Sequence, residues 1–289
     1  MRIAGNWKDY ELIDASEGER LERWGDVILV RPDPQVVWRT EKVHPLWDKY
    51  DARYVRSSSG GGHWDARKKL PDSWQIGYEN LRFNIKPMGF KHTGLFPEQA
   101  VNWDRMIDLI EHAGRPIRLL NLFAYTGGGT LSCLSAGAHV THVDASKGMT
   151  AWAKENAAAS GLPQNMQRWI VEDCLKFVAR ENRRGSKYDA VLMDPPSYGR
   201  GPSGEVWQLE DSIHEMVSQS AALLSYEPLF FAVNSYSAGL SPSVMGYVAS
   251  LALKDRWPDV AIESDEIGLP VTTTGLALPC GSTCFARFT

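Results

Sequence analysis

The pattern of apolar and polar positions changes near residue 98 and divides the chain in two. Over 98–113, apolar side chains fall at Val101, Met106, Ile107, Leu109 and Ile110, the spacing of one helical face, and Gly114-Arg115-Pro116 ends the run. Short apolar strands then alternate with helical stretches. Strands are expected at 117–123, 139–143, 167–171, 188–193 and 229–234, with helices at 129–136, 147–160, around 175–181, 206–224 and 244–253. Two further strands, 260–267 and 283–288, follow one another with no helix between them. Repeated strand–helix units build a parallel sheet covered by helices on both faces. The last pair requires one antiparallel strand, expected at an edge. The expectation over 93–289 is therefore an α/β, Rossmann-like, seven-stranded domain, mostly parallel.

Residues 1–92 keep no such period. A strand is expected at 26–32, stopped by Pro32, and a second at 36–38 after the turn Pro32-Asp33-Pro34. Residues 76–85 read as a hairpin turning near Glu79-Asn80. The tract Ser57-Ser58-Ser59-Gly60-Gly61-Gly62 lacks the Lys-Ser/Thr ending of a phosphate-binding loop and reads as a flexible connection. The segment is a small β-rich unit.

Composition narrows the class. The 289 residues are 43% hydrophobic and 23% charged, ordinary for a globular protein, and no apolar run approaches the roughly 20 residues that span a bilayer. The four cysteines, Cys133, Cys174, Cys280 and Cys284, form neither a metal pattern nor a dense disulfide framework, which suits a reducing cytoplasm. Net charge is −4, against a chain coated in positive charge for nucleic acid. The balance is uneven: residues 1–92 carry +2 and 39–69 carry +4, whereas 93–289 carry −6. The basic stretch also holds Trp38, Trp47, Tyr50, Tyr54 and Trp64. Such a mixture fits base stacking and phosphate contacts, and equally fits rings packed on a neighbouring domain.

Candidate chemistry lies at the expected strand ends, where ligands bind in open α/β sheets. The first strand runs into Phe123-Ala124-Tyr125-Thr126-Gly127-Gly128-Gly129, whose glycines let a backbone approach a ligand closely. This loop does not supply the G-x-G-x-x-G spacing of dinucleotide folds. The second strand ends in Asp144, a carboxylate able to accept both hydroxyls of a ribose. The third ends in Val171-Glu172-Asp173, where an acid can accept from an adenine amino group or cap the next helix. The fourth ends in Asp194-Pro195-Pro196-Ser197-Tyr198. Two prolines make a rigid turn with free carbonyls, and the aromatic after them can stack on a flat substrate.

With these pieces in view, residues 88–200 resemble the bacterial class I S-adenosylmethionine (SAM)-dependent methyltransferases of the 23S ribosomal RNA large-subunit type. The resemblance rests on Thr93-Gly94-Leu95-Phe96-Pro97-Glu98-Gln99 with Asn102, on Asn121 to Gly128, on Val143-Asp144-Ala145-Ser146-Lys147, on Trp152-Ala153-Lys154-Glu155-Asn156 and on Asp194 to Tyr198. It implies that Phe96 and Gln99 help cover the cofactor, and that Phe123 to Gly127, with Asn121 and Gly128 beside them, hold its methionine end. Asp144, flanked by Ala145 and Ser146, would hold the ribose, and Asp173 with Glu172 the adenine. Asp194, Pro195, Pro196 and Tyr198 would stand at the reacting end. The chain departs from the family at Ala100 and Trp103, where arginine is usual, and shows no PUA-type RNA-binding module. Relatives that methylate cytosine C5 carry a nucleophilic cysteine, often after the fifth strand; here that place reads Asn234-Ser235-Tyr236-Ser237, which argues against covalent chemistry.

The expectation is a cytoplasmic SAM-dependent methyltransferase acting on a base nitrogen of RNA, with ribosomal RNA the first candidate, and with no metal and no membrane partner. Three alternatives stay open: SAM-dependent methylation of a small molecule or protein, a nicotinamide oxidoreductase, and a SAM-binding module without catalysis.

Overall fold

The computed structural model describes residues 1–57, 61–200, 206–237 and 239–288. Residues 58–60 of the serine–glycine tract lie outside the described residues. The chain divides into two units, residues 1–100 with 268–280, and residues 101–267 with 281–289.

The first unit opens with a two-residue strand, β1 (Arg2–Ile3), and is built on a five-stranded sheet in sequence order. Its strands are β2 (Tyr10–Ser16), β3 (Glu19–Trp24), β4 (Val27–Pro32), β5 (Ala52–Arg56) and β6 (Gly62–Ala66). A separate hairpin pairs β7 (Trp74–Tyr78) with β8 (Leu81–Ile85), as expected around Glu79-Asn80. Strands β2 and β3 were not legible, because their charges look solvent-facing but are buried in pairs. Glu22 takes both Arg31 Nε (2.5 Å) and Nη2 (2.7 Å), and also the Tyr10 hydroxyl (2.8 Å). Those partners outweigh burial and hold the Glu22 carboxyl below its ordinary value.

One expectation for this unit fails and another is narrowed. Residues 36–38 form no strand: Val36 O and Trp38 O instead accept the amides of Gly18 and Glu17 at the β2–β3 turn. Of the aromatics of the basic stretch, two are not available to a ligand. Trp47 and Tyr50 are buried in their own core with Ile13, Leu21 and Val30. Lys42 lies 4.4 Å over the Trp47 ring and Arg67 3.8 Å over Tyr50, so the cations cover the rings.

The second unit alternates strand and helix. In order it contains α1 (Ala100–Glu111), β9 (Arg118–Leu122), α2 (Gly128–Ser135), β10 (His139–Asp144), α3 (Lys147–Ala159), β11 (Gln167–Val171), α4 (Cys174–Arg184) and β12 (Ala190–Met193). A small hairpin of β13 (Tyr198–Arg200) and β14 (Val206–Gln208) follows. Then come α5 (Leu209–Ala221), β15 (Phe230–Ser235), α6 (Pro242–Leu253), β16 (Ala261–Pro270) and β17 (Ala277–Arg287). The sheet has eight strands in the order β1-β16-β17-β15-β12-β9-β10-β11, the expected seven with the two-residue β1 added at the edge. Strands β11, β10, β9, β12 and β15 are parallel, and β17 runs antiparallel to β15, inserted between it and β16. The tip of the last hairpin, 268–280, belongs to the first unit.

Successive strand residues bury on opposite faces. Leu120, Leu122, Val191, Met193, Phe231 and Val233 join the core formed with α4, α5 and α6. Their neighbours Leu119, Ala190 and Phe230 are buried on the other side. Both faces are therefore covered, which leaves the strand ends as the place for a ligand. Helix α5 starts three residues later than its apolar period suggests. The preceding residues pair as β14, with Gln208 opposite Tyr198 and Trp207 opposite Gly199.

Candidate active site

Strand register brings the candidate residues to one level. Leu122 lies opposite Val143 and Met193, Asp144 opposite Val171, and Met193 opposite Val233. Phe123, Asp144, Glu172, Asp194 and Asn234 thus emerge together, at the carboxyl ends of strands on both sides of β9. There the chain order reverses: β10 and β11 lie to one side, β12 and β15 to the other.

The loop after β9 is held in an unusual shape. Phe123 (φ 54°), Tyr125 (φ 49°) and Gly127 (φ 91°) are all left-handed, two of them residues with bulky side chains. Such conformations cost about 1 kcal/mol or more each and persist only when neighbours impose them. The neighbours are explicit. Phe123 N donates to Cys174 Sγ (3.2 Å), Ala124 N to Val143 O (3.1 Å) and Tyr125 N to Asp144 Oδ2 (2.8 Å). Gly127 N donates to Ala124 O (3.0 Å). From α3, Asn156 Nδ2 donates to Thr126 O (2.9 Å). The three glycines answer three different demands. Gly127 has the positive φ. A Cβ on Gly128 would lie 2.7 Å from the Trp103 ring, and one on Gly129 would lie 2.4 Å from Leu192 Cδ2.

The amides of Phe123, Ala124, Tyr125 and Gly127 are engaged by the protein, which leaves the first amides of α2, from Gly128 onward, as the loop's backbone donors toward a ligand.

Asp144 is a support as well as a candidate ligand. Its Oδ1 accepts Ser146 N (2.8 Å) and its Oδ2 accepts Tyr125 N (2.8 Å). Burial raises its carboxyl above the ordinary value, against the pull of these two amides. Each carboxylate oxygen has two acceptor sites, so capacity for ribose hydroxyls remains. Ser146 caps α3 by accepting Met149 N (3.3 Å), and Ala145 lies between the two. Asp173 acts as N-cap of α4, its Oδ1 accepting Lys176 N (2.9 Å), and Glu172 pairs with Arg180 Nη1 at 2.5 Å.

Asn121 does not face the strand ends. It is buried and donates to Thr130 Oγ1 (2.9 Å), which also meets His142 Nδ1 at 2.9 Å. Burial, with Lys154 a lesser influence, depresses His142 to about 3, so the imidazole is neutral. The three side chains form a polar strut beneath the start of α2. Phe96 and Gln99 stand in the first unit, where Phe96 lies 5.2 Å from the His92 ring and Gln99 is buried in a single turn, Pro97–Gln99.

The turn after β12 begins with Asp194 N donating to Leu122 O (3.3 Å). Pro195 is buried, whereas Pro196 is exposed and Tyr198 is 54% exposed. The expected free carbonyl at Pro196 is taken: Trp207 Nε1 donates to it at 2.6 Å. The Trp207 ring also lies 5.2 Å from Phe123, tilted by 50°. One side chain thus ties the glycine loop to the proline turn. Trp207 falls within the helical period expected over 206–224, and neither it nor Cys174 carries a sequence signal for these links. Asn156 was visible only as part of a motif. Near the end of β15, Asn234 is buried and accepts from Thr283 Oγ1 (2.8 Å) and Asn102 Nδ2 (3.2 Å). Cys284 is buried within β17 opposite Val233, its thiol pushed up by burial to about 11. It is no nucleophile.

Comparison with known proteins agrees with this geometry. A ribosomal RNA large subunit methyltransferase K/L from Shewanella frigidimarina is 32% identical over 146 residues, 50% of this chain and 20% of that protein. The corresponding Shewanella baltica protein is 31% identical over 132 residues, 45% of this chain and 17% of its own length. The chain thus spans about a fifth of the length of these curated relatives. The crystal structure of a SAM-dependent methyltransferase from Agrobacterium tumefaciens superposes with a TM-score of 0.93 at 37% identity, covering 99% of this chain and 92% of that one. Residues 44–224, more than half the chain, match the family model for S-adenosylmethionine-dependent methyltransferases, and the chain belongs to that family.

Proposed function

We propose that this methyltransferase transfers the SAM methyl group to a base nitrogen in RNA, with ribosomal RNA the first candidate. The observation that carries the reading is the rigid turn Asp194-Pro195-Pro196-Ser197-Tyr198, which offers a carboxylate at the strand end and an exposed aromatic four residues on. The names of the Shewanella relatives support the choice of RNA.

When bound, SAM supplies a methyl group already activated on a sulfonium. The protein's task is alignment and exclusion of water. Phe123 to Gly127 hold the methionine end, Asp144 the ribose and Asp173 the adenine. Asp194 accepts an N–H of the target base, aims the nitrogen lone pair at the methyl carbon and receives the proton the nitrogen sheds. Tyr198 stacks on the base. A covalent cysteine route has no support, since all four cysteines, Cys133, Cys174, Cys280 and Cys284, are buried with thiols raised by burial.

A second reading, methylation of a small molecule or a protein side chain, is favoured by the −6 charge of residues 93–289. One experiment separates them. The protein is incubated with methyl-labelled SAM and ribosomal RNA from a strain lacking the gene. Label in an N-methylated nucleoside after nuclease digestion is expected. SAM binding with no label in RNA contradicts the proposal and leaves the second reading.

A further inference from the structure

The loop 86–93 of the first unit presents an aromatic ring that the fold does not use. Lys86 N donates to Thr93 O (3.2 Å) and closes the loop. Its tip is tied down by two large side chains. The Tyr54 hydroxyl donates to Gly89 O (3.2 Å) and Trp64 Nε1 to Met88 O (2.9 Å). Tyr54 and Trp64 face each other across β5 and β6, with ring centroids 5.4 Å apart. Gly62 makes this possible, since a Cβ there would lie 2.8 Å from the Tyr54 ring and 2.2 Å from Val55 O. These anchors fix the backbone at 88–89, and the next residue, Phe90, is 60% exposed.

The surroundings are cationic. Lys91 follows Phe90. Arg56, exposed, lies two residues after Tyr54 in β5 and therefore shares its face. Burial holds the Lys91 ammonium below its ordinary value, opposed by Asp33 and aided by Arg31, Arg20 and Arg56; Arg20 and Arg31 are paired with Asp33 and Glu22, which leaves Lys91 and Arg56 as the cations beside the ring. A lipid surface would require several apolar side chains, whereas Phe90 stands between Gly89 and Lys91. One ring on a tethered loop, flanked by cations, matches the chemistry of an unpaired nucleotide: a π-face to stack on and a phosphate to attract.

We infer that Phe90 is an RNA contact, stacking on an unpaired base while Arg56 meets an adjoining phosphate. This rests on the RNA reading of the active site but concerns a separate surface. Stacking of this kind tolerates any base, so a simple probe suffices: fluorescein-labelled single-stranded oligoadenylate, titrated by anisotropy with the whole chain. Phe90→Ala and Phe90→Leu should each weaken binding about tenfold, and Phe90→Tyr should retain it. Arg56→Gln should reduce the slope of log affinity against log salt by about one. Calorimetry with SAM should be unchanged in all four variants, which checks their folding. If the unaltered protein binds the probe and Phe90→Ala binds equally well, the contact is wrong while the RNA reading stands. If the unaltered protein neither binds the probe nor methylates RNA, both fall.

Discussion

Trp207 is the perturbation that most closely probes how the site is assembled. Its indole N–H reaches Pro196 O at 2.6 Å, and its ring lies 5.2 Å from Phe123. Trp207→Phe keeps a ring against Phe123 and removes the hydrogen bond, which is worth about 1 kcal/mol at this half-exposed position. Trp207→Ala removes in addition an aromatic pair worth roughly 0.5–1.5 kcal/mol. Since about 1.4 kcal/mol is a factor of ten, the first change should lower kcat/KM for the acceptor about fivefold, through a looser Asp194–Tyr198 turn, with SAM affinity unchanged. The second should lower kcat/KM a further three- to tenfold (by the same conversion) and weaken SAM binding, because Phe123 loses the neighbour that helps hold its left-handed backbone. The assay is methyl transfer at varied acceptor concentration beside calorimetric titration with SAM. Equal kcat/KM for the unaltered protein and Trp207→Ala would refute the coupling of loop and turn.

Other outcomes follow from particular contacts. Gly129→Ala places a methyl 2.4 Å from Leu192 Cδ2 and should cost about 1–3 kcal/mol in denaturant unfolding, partly recovered in the double variant with Leu192→Ala. Asp144→Asn keeps the shape but removes the charge and one of two acceptors for Ser146 N and Tyr125 N. SAM affinity measured by calorimetry should fall about tenfold or more. His142 is held near 3 in the fold against about 6.5 unfolded, so the unfolded chain binds the extra proton between those values. Stability is full above about pH 6.5 and declines as pH falls, by about 2 kcal/mol at pH 5. His142→Gln should be weaker at pH 7 yet show a flatter pH dependence in the same titration.

The centre of the parallel sheet was legible because β9, β12 and β15 are buried on both faces and read as apolar runs between helical periods. The places of Asp144, Asp173 and Asp194 after successive strands were legible from the same alternation, since strand ends are where a doubly covered sheet meets solvent. The capping of α4 by Asp173 is legible too, but the second use of Asp144 is not: it reads as a ligand and also accepts two loop amides. Asn121 reads as part of a cofactor motif but braces Thr130 from beneath. These are contacts between residues distant in sequence, which a local pattern cannot carry. The first unit was harder still. Glu22 and Arg31 look like surface charges until their pairing across the sheet is known, and Trp47 and Tyr50 look like a stacking platform until Lys42 and Arg67 are found covering them. Buried ion pairs and cation-covered rings invert the usual relation between polarity and exposure, so strands carrying them lose the alternation that would reveal them.

Under the proposed function, Asp194 and its turn present a base nitrogen of RNA to the SAM methyl group. Mass-spectrometric mapping of ribosomal RNA nucleosides tests it most directly, comparing cells with the intact gene, without it, and with Asp194→Ala. One N-methylated nucleoside should be present in the first and absent from the other two, while the Asp194→Ala protein remains folded. An unchanged set of methylated nucleosides in all three would contradict it.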